Sequence, residues 1–385
     1  MNVNPNLPPP PPDNLAVNPG LSPHATQGAL QRPPWGLILT GVGVLACLLA
    51  TCGASALLWV MGDALNPPTL TPTLTESQRR EQALSAQLDP VISGHPALFS
   101  QVLAVLRPLE LTVYDPVTGD QVRWSLDEMT WASWWRARTS VEGQIVLDVD
   151  AAGVEAYLQA QASAYFDPTR TLDFPQTAAE LAHSLANGGY ALPLLRVRHL
   201  PRSHTVQSGE TITSIAWDYG IPYPYLLQLN GGREVLSVGE TIAIPPADSF
   251  LLLPPVPNKR LVVSIGQQRV WAWEDGALKW DWPASTGIAS SPTWRGVYQV
   301  ISKVPNAYAA NWNLWMPNFL GVYRPVPDSD FTNGFHGFPT RGGGQLLWEN
   351  NLGRPVTYGC ILVSSANAQL LYDWAELGVV VEIRG

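Results

Sequence analysis

The last third of the chain contains one cysteine and one histidine, a pair of residues that can perform acyl transfer. Cys360 lies in the segment TYGCI and His336 in GFHGF, and residues 259–385 hold no other residue of either type. A thiolate is the nucleophile in cysteine chemistry, and a nearby imidazole can act as its base and counter-charge. In the turn before the cysteine, the backbone N–H groups of Tyr358, Gly359 and Cys360 could stabilise an oxyanion. The alternative is a buried cysteine and a histidine that only forms part of a turn.

The segments around this pair predict a domain that consists mostly of β-structure. In RLVVSIGQQRVWAWEDGALKWDWPAST, two apolar runs flank the turn EDG, a pattern typical of a hairpin. The runs GVYQVISKV and VVVEIRG predict further strands. One helix, SANAQLLYDWAEL, should follow the cysteine, with Ser364 or Ser365 as its N-cap. Residues 259–385 are therefore predicted to form a small β-sandwich or barrel with one late helix.

Residues 259–385 resemble the YkuD-type L,D-transpeptidase catalytic domain. The similarity runs in order through the hairpin segment, SSPTWRGVYQV, WMPNFLG, GFHGFP and LGRPVTYGCILVSSANAQLLYDWAELGVVVEI. The motif of that family is a histidine, a spacer, Ser or Thr, His-Gly-Cys, an apolar residue, and Arg or Asn. The resemblance implies that His336 is the base and Cys360 the nucleophile. Thr357 takes the Ser/Thr position, and Gly359 matches the glycine of the motif.

Three features depart from this family motif. Tyr358 stands where the family has its second histidine, and it can donate a hydrogen bond but carries no charge near neutral pH. Leu362 stands at the Arg/Asn position, which puts recognition of a substrate carboxylate in question, and Arg341 or Arg354 could take over that role. The spacer of twenty residues between the histidine and the Ser/Thr position is longer than usual, and the extra residues are expected in the loop RGGGQ at 341–345.

The resemblance implies a two-step exchange on the stem peptides of peptidoglycan. Cys360 attacks the carbonyl of the third residue of a tetrapeptide stem and expels D-alanine, and an amine of a second stem then attacks the thioester. The product is a 3→3 cross-link, the reaction needs no metal or cofactor, and carbapenems would acylate the same thiol. Two alternatives stay open: an L,D-carboxypeptidase-like stem-peptide hydrolase, and a catalytically inactive peptidoglycan-binding adaptor. The presence of both Cys360 and His336 favours the two enzymes over the adaptor.

Residues 203–246 predict a small βααβ module that resembles a LysM domain. The segments that carry this resemblance are HTVQSGET, IAWDYGI, LLQLNG and VGETIAIP. It implies binding of glycan strands that contain N-acetylglucosamine, between the loop after the first strand and the loop after the second helix. The residues of these two loops are Ser208, Gly209, Glu210, Thr211, Leu229, Asn230 and Gly231. Backbone donors in such turns can bond acetamido groups, although the glycines could also serve only to form the turns. A Pro-rich linker, residues 247–258, follows the module.

Residues 95–202 predict an α+β domain. The segment LTVYDPVTGDQVRWSL predicts a hairpin, and SLDEMTWASWW predicts a helix with Ser125 as its N-cap. Together with IVLDVDAAGVEAYL and AAELAHSLANGGYALPL, these segments resemble a peptidoglycan-binding domain found in vancomycin-resistance-associated and some transpeptidase proteins. Residues 63–94 precede this domain and predict a stalk, followed by a polar helix capped by Thr75 and Gln78 that acts as a spacer.

Residues 35–62 predict a single transmembrane helix behind a Pro-rich tail. The tail, residues 1–34, contains ten prolines and is predicted to be disordered or polyproline-like. The apolar segment carries no charge, and about 26 helical residues span roughly 39 Å, enough for a hydrocarbon core of ~30 Å. Arg32 precedes it and Asp63 follows it, which favours a cytoplasmic N-terminus and a catalytic domain outside the cell membrane, facing the cell wall. A signal peptide cleaved at ASA is the disfavoured alternative, because a long, nearly uncharged tail precedes the apolar segment.

The predicted anchor changes the meaning of the cysteine count. Cys47 and Cys52 fall inside the anchor, so Cys360 is expected to be the only cysteine outside the membrane, without a disulfide partner in the chain.

The formal net charge of −9 argues against a nucleic-acid partner. The six histidines are scattered and no C-x-x-C occurs, so no metal site is expected.

Overall fold

The computed structural model describes residues 74–385, of which residues 83–385 form one unit. The predicted tail, residues 1–34, the predicted transmembrane helix, residues 35–62, and most of the predicted stalk lie outside the described residues. Within the described part, none of the helices has both the length and the apolar character needed to cross a membrane.

Nine α-helices and twenty strands make up the described part of the chain, residues 74–385. The helices are α1 (Glu76–Gln87), α2 (Pro90–Ser93), α3 (Pro96–Val105), α4 (Glu128–Ala132), α5 (Ala151–Tyr165), α6 (Phe174–Ala186), α7 (Ile212–Tyr219), α8 (Tyr223–Leu229) and α9 (Ser365–Trp374). The strands of the first two domains are β1 (Leu109–Tyr114), β2 (Gln121–Leu126), β3 (Trp135–Thr139), β4 (Ile145–Val149), β5 (Arg170–Thr171), β6 (Leu195–Arg196), β7 (Arg198–His199), β8 (Arg202–Thr205) and β9 (Thr241–Ile244). Those of the last domain are β10 (Lys259–Ser264), β11 (Arg269–Glu274), β12 (Ala277–Pro283), β13 (Gly296–Gln299), β14 (Ser302–Ala309), β15 (Leu314–Tyr323), β16 (Asn333–His336), β17 (Thr340–Arg341), β18 (Gly344–Gln345), β19 (Ile361–Leu362) and β20 (Val380–Arg384).

The first domain combines small sheets with helices, in agreement with the predicted α+β class. Its main sheet has the strand order β2-β1-β6, in which β1 is antiparallel to β2 and parallel to β6. Helices α5 and α6 and the hairpin β3-β4 complete the domain around buried side chains such as Trp124, Trp131 and Leu181. Because the large aromatic side chains of Trp124 in β2 and Trp131 in α4 are removed from water, the hydrophobic effect stabilises this core.

Helix α4 begins two residues later than the sequence predicts. Asp127, and not Ser125, is its N-cap, and the Asp127 carboxylate accepts a hydrogen bond from the Thr130 N–H at 2.9 Å. Ser125 lies in strand β2, where its hydroxyl donates to Glu110 at 2.6 Å. The cap prediction for Ser125 is therefore wrong, because the strand extends through the first residues of the expected helix.

Helix α1 begins with the predicted capping box. The Thr75 N–H donates to the Gln78 side chain at 2.9 Å, and the Gln78 N–H donates to the Thr75 hydroxyl at 3.2 Å. The predicted role of this helix as a spacer is wrong. Leu84, Leu88 and Ile92 are at most 4% exposed and belong to the hydrophobic core of the first domain. The core of this domain therefore extends into residues assigned to the stalk and helix.

The second domain has the predicted βααβ order. Strands β8 and β9 pair antiparallel, and α7 and α8 pack beside them around Ile215, Leu226 and Ile242. Thr211 and Ser214 form a reciprocal capping box at the start of α7, and Gly220 ends this helix with the left-handed φ of 69° that glycine accommodates readily. These local signals explain why so short a segment forms two helices.

The last domain has two sheets that pack around one core, with helix α9 just before the final strand, β20. The first sheet has the order β12-β11-β10-β20-β13, and the second has the order β18-β17-β15-β16-β19 with β14 beside β15. Leu261 and Val381 of the first sheet, Leu320 and Phe335 of the second, and Leu371 of α9 belong to the same fully buried cluster. This architecture matches the mostly-β prediction with one late helix, and Ser364 is the N-cap of α9.

Residues of the last domain contact both preceding domains. Trp294 lies with its ring centroid 5.9 Å from those of Trp217 and Tyr223 in the second domain. The Arg260 guanidinium donates to the carbonyl oxygens of Pro116 and Val117 in the first domain, at 3.0 and 2.7 Å. Aromatic contacts and charge-assisted hydrogen bonds therefore join the three domains.

Candidate active site

Two neighbouring parallel strands bring His336 and Cys360 to the same place. Strand β16 ends at His336, and β19 begins directly after Cys360. The strands pair in the register Phe335 to Ile361 and His336 to Leu362, and all of their residues are buried. Because the ends of both strands are fixed by this pairing, the two predicted catalytic side chains line one pocket although 24 positions separate them in the chain.

The turn before Cys360 is held by side chains from other segments. The Thr357 hydroxyl donates to the Cys360 carbonyl at 2.6 Å, and the Thr293 hydroxyl donates to the Gly359 carbonyl at 3.0 Å. Gly359 has a φ of 107°, and a Cβ at this position would lie 2.6 Å from the Asn333 amide nitrogen. Glycine is therefore required at position 359 for its backbone conformation and for the space that it leaves to Asn333.

The imidazole of His336 is oriented by a backbone carbonyl. Its Nδ1 lies 2.7 Å from the Gly337 carbonyl oxygen, and because a carbonyl only accepts, Nδ1 carries the proton and Nε2 is left as the basic atom. Burial lowers the pKa of His336 to about 4, an effect that the backbone hydrogen bond partly opposes. The ring is therefore neutral at neutral pH and able to accept a proton at Nε2.

The thiol of Cys360 is also neutral in this structure. Burial raises its pKa to about 11, and a backbone hydrogen bond with Gly334 acts in the opposite direction. The thiol donates a hydrogen bond to Asn333 Oδ1 at 3.5 Å, and within residues 74–385 no hydrogen bond joins it to His336. Because neutral thiol and neutral imidazole coexist at pH 7, the resting site is not a thiolate–imidazolium pair.

A pocket of about 180 Å³ opens in front of the thiol and the imidazole. Most of its lining is apolar and includes Trp312, Met316 and Phe331. Arg341 also lines the pocket and is the one lining residue of the described chain that is charged at neutral pH. Such a pocket can exclude water from a reacting acyl group while offering one cation to an anionic substituent.

The Arg/Asn position of the family motif is not available to a ligand here. Leu362 is fully buried, and its backbone exchanges two hydrogen bonds with Ser285, both of 2.8 Å. Of the two arginines considered as substitutes, Arg341 reaches the pocket and donates to the Trp312 carbonyl at 2.8 Å. Arg354 is exposed and is not part of the pocket lining.

Tyr358 lies at the rim of the pocket instead of inside it. Its side chain is 52% exposed, and its ring stacks on Trp312 with the centroids 5.8 Å apart and 14° between the planes. An exposed stacked ring provides an apolar wall for a ligand and supplies no charge to the thiol. The longer spacer before Thr357 includes the predicted loop at 341–345, where β17 and β18 form a hairpin through Gly342 and Gly343, both with positive φ.

The three backbone N–H groups predicted to bind an oxyanion belong to Cys360 and to the two residues before it. Within the described chain, the N–H groups of Tyr358, Gly359 and Cys360 donate no hydrogen bond, whereas the preceding Thr357 N–H donates to the Thr286 carbonyl at 3.1 Å. Donors without a partner next to a nucleophile can bind a developing negative charge.

Sequence reasoning missed the polar side chains behind the thiol. Asn333, Tyr323 and Thr293 are all buried, and they contact either the Cys360 thiol or the Gly359 carbonyl. Asn333 lies in the same strand as His336, and this closeness in the sequence was the one signal that could have pointed to Asn333. Tyr323 and Thr293 come from distant segments, and nothing in their local sequence separates them from ordinary core residues.

The predicted glycan-binding residues of the second domain fall into two groups. Ser208, Gly209, Leu229 and Gly231 are exposed. Glu210 accepts hydrogen bonds from the Gln207 N–H and from His204, and Thr211 caps α7. The Asn230 side chain donates to the carbonyls of Leu226 and Ala243 and accepts from the Ala243 N–H, so it joins α8 to β9. Glu210, Thr211 and Asn230 therefore shape the loops, and the exposed residues, which include Thr211, are available to a ligand.

No group of three or more His, Cys, Asp or Glu side chains within residues 74–385 is arranged to hold a metal ion.

The geometry on its own defines a site able to perform cysteine-based acyl transfer: a thiol, a neutral imidazole with a free Nε2, unpaired N–H donors and an apolar pocket.

Two families match parts of the chain. Residues 258–383 match YkuD, the L,D-transpeptidase catalytic domain, and residues 204–245 match the LysM domain. The chain thus contains a YkuD domain that carries Cys360 and His336 and, before it, a LysM domain. The sequence analysis places these two domains at residues 259–385 and 203–246.

Several solved L,D-transpeptidase structures are similar to the chain. A mutant of the Enterococcus faecium enzyme is 14% identical, with 74% of this chain and 98% of that chain covered and a TM-score of 0.31. The enzyme from Mycobacterium smegmatis is 16% identical, with 48% and 82% covered and a TM-score of 0.29. The one from Stackebrandtia nassauensis is 18% identical, with 36% and 60% covered and a TM-score of 0.28. No curated protein sequence matches the chain. Because the sequence identities and TM-scores of these structures are low, the family match on residues 258–383 is the stronger finding.

Proposed function

We propose that the protein is a cell-wall L,D-transpeptidase that forms 3→3 cross-links in peptidoglycan through a thioester on Cys360. The observation that carries the proposal is the placement of Cys360 and His336 in one apolar pocket within a YkuD domain, with Nδ1 of His336 held by the Gly337 carbonyl. This arrangement leaves Nε2 free to take the thiol proton when a substrate carbonyl is attacked.

In the first step, Sγ of Cys360 attacks the carbonyl carbon of the third residue of a tetrapeptide stem. The thiol proton passes to Nε2 of His336, and the carbonyl oxygen becomes an oxyanion that the N–H groups of the 358–360 turn can bind. When the C–N bond to D-alanine breaks, the leaving amine takes the proton from Nε2. Because the resting thiol and imidazole are both neutral, proton transfer is expected to accompany formation of the C–S bond.

In the second step, an amine of another stem attacks the thioester carbonyl. His336 Nε2 takes a proton from this amine and returns it to the Cys360 sulfur when the C–S bond breaks, which restores the thiol. Water in place of the amine would give hydrolysis instead. The stacked rings of Tyr358 and Trp312 form an apolar wall at the pocket, which favours an acceptor chain over bulk water.

We further propose that the remaining parts of the chain hold the catalytic domain at its polymer. The LysM domain would bind glycan through the exposed loop residues Ser208, Gly209, Leu229 and Gly231, and the segment 35–62 would anchor the chain in the cell membrane with the catalytic domain outside. Tethering raises the local concentration of stem peptides, so a weak glycan contact suffices.

The proposal is tested by incubating the full-length protein in mild detergent with a disaccharide-tetrapeptide and identifying the products by mass spectrometry. A cross-linked dimer supports the transpeptidase, and loss of D-alanine without a dimer indicates the hydrolase. Absence of turnover together with absence of a carbapenem adduct on Cys360 would refute both enzymes and leave the adaptor.

Two variants serve as matched controls for this experiment. Cys360→Ala should abolish turnover while retaining binding to isolated peptidoglycan. A variant in which Cys47 and Cys52 are both replaced by alanine should turn over like the natural protein, because both residues lie in the predicted anchor.

A further inference from the structure

The hydroxyl of Tyr323 is surrounded by three hydrogen-bond partners in the core behind the thiol. It accepts from the Trp294 N–H at 3.0 Å, lies 3.3 Å from the Gly359 carbonyl oxygen, and lies 3.4 Å from Nδ2 of Asn333. The Gly359 carbonyl oxygen only accepts, and the Tyr323 hydroxyl donates its single proton to it. Both lone pairs of the hydroxyl are then used by donors, one of which is the Asn333 amide.

This arrangement determines the orientation of the Asn333 side chain. Because the Tyr323 hydroxyl has no second proton to donate, the atom of Asn333 that faces it must be the NH₂ group. The amide oxygen of Asn333 consequently faces Sγ of Cys360 at 3.5 Å. An amide oxygen can accept the S–H proton but offers nothing to a thiolate. Asn333 is 3% exposed, so water does not compete for these contacts.

We propose that Asn333 is a positioning residue that accepts the Cys360 S–H and keeps the thiol protonated in the resting site, and that Tyr323 maintains Asn333 in the orientation needed for this. The inference rests on the proposed role of Cys360 as nucleophile. Transfer of the proton to His336 then requires the S–H to turn away from Asn333, which a substrate carbonyl bound in the pocket would promote. The buried thiol is thereby protected from reaction until the pocket is occupied.

Other groups around the thiol do not account for the same protection. The titratable or charged side chains that line the pocket are His336, Tyr358 and Arg341. A neutral imidazole and an exposed phenol place no negative charge near the sulfur, and the arginine would favour a thiolate. Beyond burial itself, the oxygen of Asn333 favours the protonated thiol, whereas the backbone hydrogen bond with Gly334 favours the thiolate.

The experiment measures the rate at which iodoacetamide alkylates Cys360 in the full-length protein between pH 7 and 10. The Cys360 peptide is quantified by mass spectrometry, so that Cys47 and Cys52 do not contribute. Tyr323→Phe removes the hydroxyl that orients the amide, which allows Asn333 to turn its NH₂ group to the sulfur. This variant should react about threefold faster at pH 8, corresponding to a shift of the profile by roughly half a pH unit downwards.

Asn333→Asp should act in the opposite direction. A carboxylate at hydrogen-bond distance disfavours the thiolate, so alkylation at pH 8 should be about tenfold slower, a shift of roughly one pH unit upwards. A general loosening of the core would speed alkylation in both variants. The matched control is Tyr298→Phe, because Tyr298 is equally buried and stacks on Tyr323 but donates its hydroxyl proton to the Arg295 carbonyl.

Opposite shifts in the two variants, with an unchanged profile for Tyr298→Phe, are the expected result. Unchanged rates, shifts of both variants in the same direction, or an equal shift in the control would overturn the proposal. Should Asn333→Asp fail to fold, Tyr323→Phe against Tyr298→Phe decides the question alone. Alkylation requires no stem peptide, so the outcome is independent of whether the protein proves to be a transpeptidase.

Discussion

The burial of His336 predicts a measurable dependence of stability on pH. The side chain is 4% exposed, and burial lowers its pKa from 6.5 to about 4 because the imidazolium would lose its hydration. In the unfolded chain the ring takes up a proton near pH 6.5. Between these two pH values the unfolded state therefore binds more protons than the folded state. The contribution of His336 to the free energy of unfolding is fully present above pH 6.5 and is lost as the pH falls towards 4.

The size of this contribution follows from the two pKa values. A difference of about 2.5 pH units corresponds to about 3 kcal/mol, of which roughly 2 kcal/mol is lost between pH 7 and pH 5. In His336→Gln this contribution disappears, whereas the carboxylates and the other histidines titrate as before. The natural protein should therefore lose about 2 kcal/mol more than the variant over this interval, irrespective of the stability of the variant at pH 7.

The assay is a urea titration of the full-length protein and of His336→Gln at pH 7, 6 and 5, read by pulsed hydrogen–deuterium exchange. Peptides from residues 259–385 report the catalytic domain separately, which avoids treating a chain of several domains as a single two-state unit. An equal loss of stability in the two proteins, or a steeper loss in the variant, would refute the conclusion that the imidazole is buried in its neutral form.

Three further substitutions test other parts of the structure. Gly359→Ala should destabilise the catalytic domain by about 2 kcal/mol in the same urea titration and displace the thiol. The reasons are that the new Cβ meets the Asn333 amide and that the backbone φ of residue 359 is 107°. An unchanged stability of the domain would contradict this prediction. Arg341→Ala should raise the KM for a stem peptide about tenfold with a smaller effect on kcat. Arg354 lies outside the pocket, so Arg354→Ala should leave KM and kcat unchanged. Equal effects of the two substitutions would exclude a role of Arg341 in binding a substrate carboxylate. Asn230→Ala should destabilise the LysM domain by about 2 kcal/mol in urea unfolding, because it breaks two hydrogen bonds to Ala243 of β9 and one to Leu226 of α8. A similar loss in Leu229→Ala, which truncates a half-exposed side chain, would argue against this cause.

Much of the local structure could be predicted because short-range signals determine it. The capping box of Thr75 and Gln78 and the EDG turn between β11 and β12 both depend on residues within a few positions of one another. The same holds for the module order of the LysM domain and for the late helix after Cys360. Where a strand and a helix competed for the same residues, as at Ser125, local signals were insufficient because pairing with β1 prolongs the strand.

The predicted spacer helix shows a second limit. The sequence of α1 is polar on most of its surface, so its few apolar residues did not indicate a core element. In the structure, Leu84, Leu88 and Ile92 are buried by side chains that lie later in the chain. Burial of an apolar residue depends on the presence of a partner surface, and that surface is formed by residues far away in the sequence.

For the candidate active site, the sequence pointed to the thiol and the imidazole because few residue types perform this chemistry, and the resemblance to the YkuD family pointed to the glycine between Tyr358 and Cys360. The catalytic roles of these residues stay a prediction. The protonation states of the site depend on the tertiary structure. Burial holds both the thiol and the imidazole neutral, and Tyr323 orients Asn333 towards the sulfur from a separate strand. A pKa depends on desolvation and on neighbouring dipoles in space, and these are established only when the distant segments of the chain pack together.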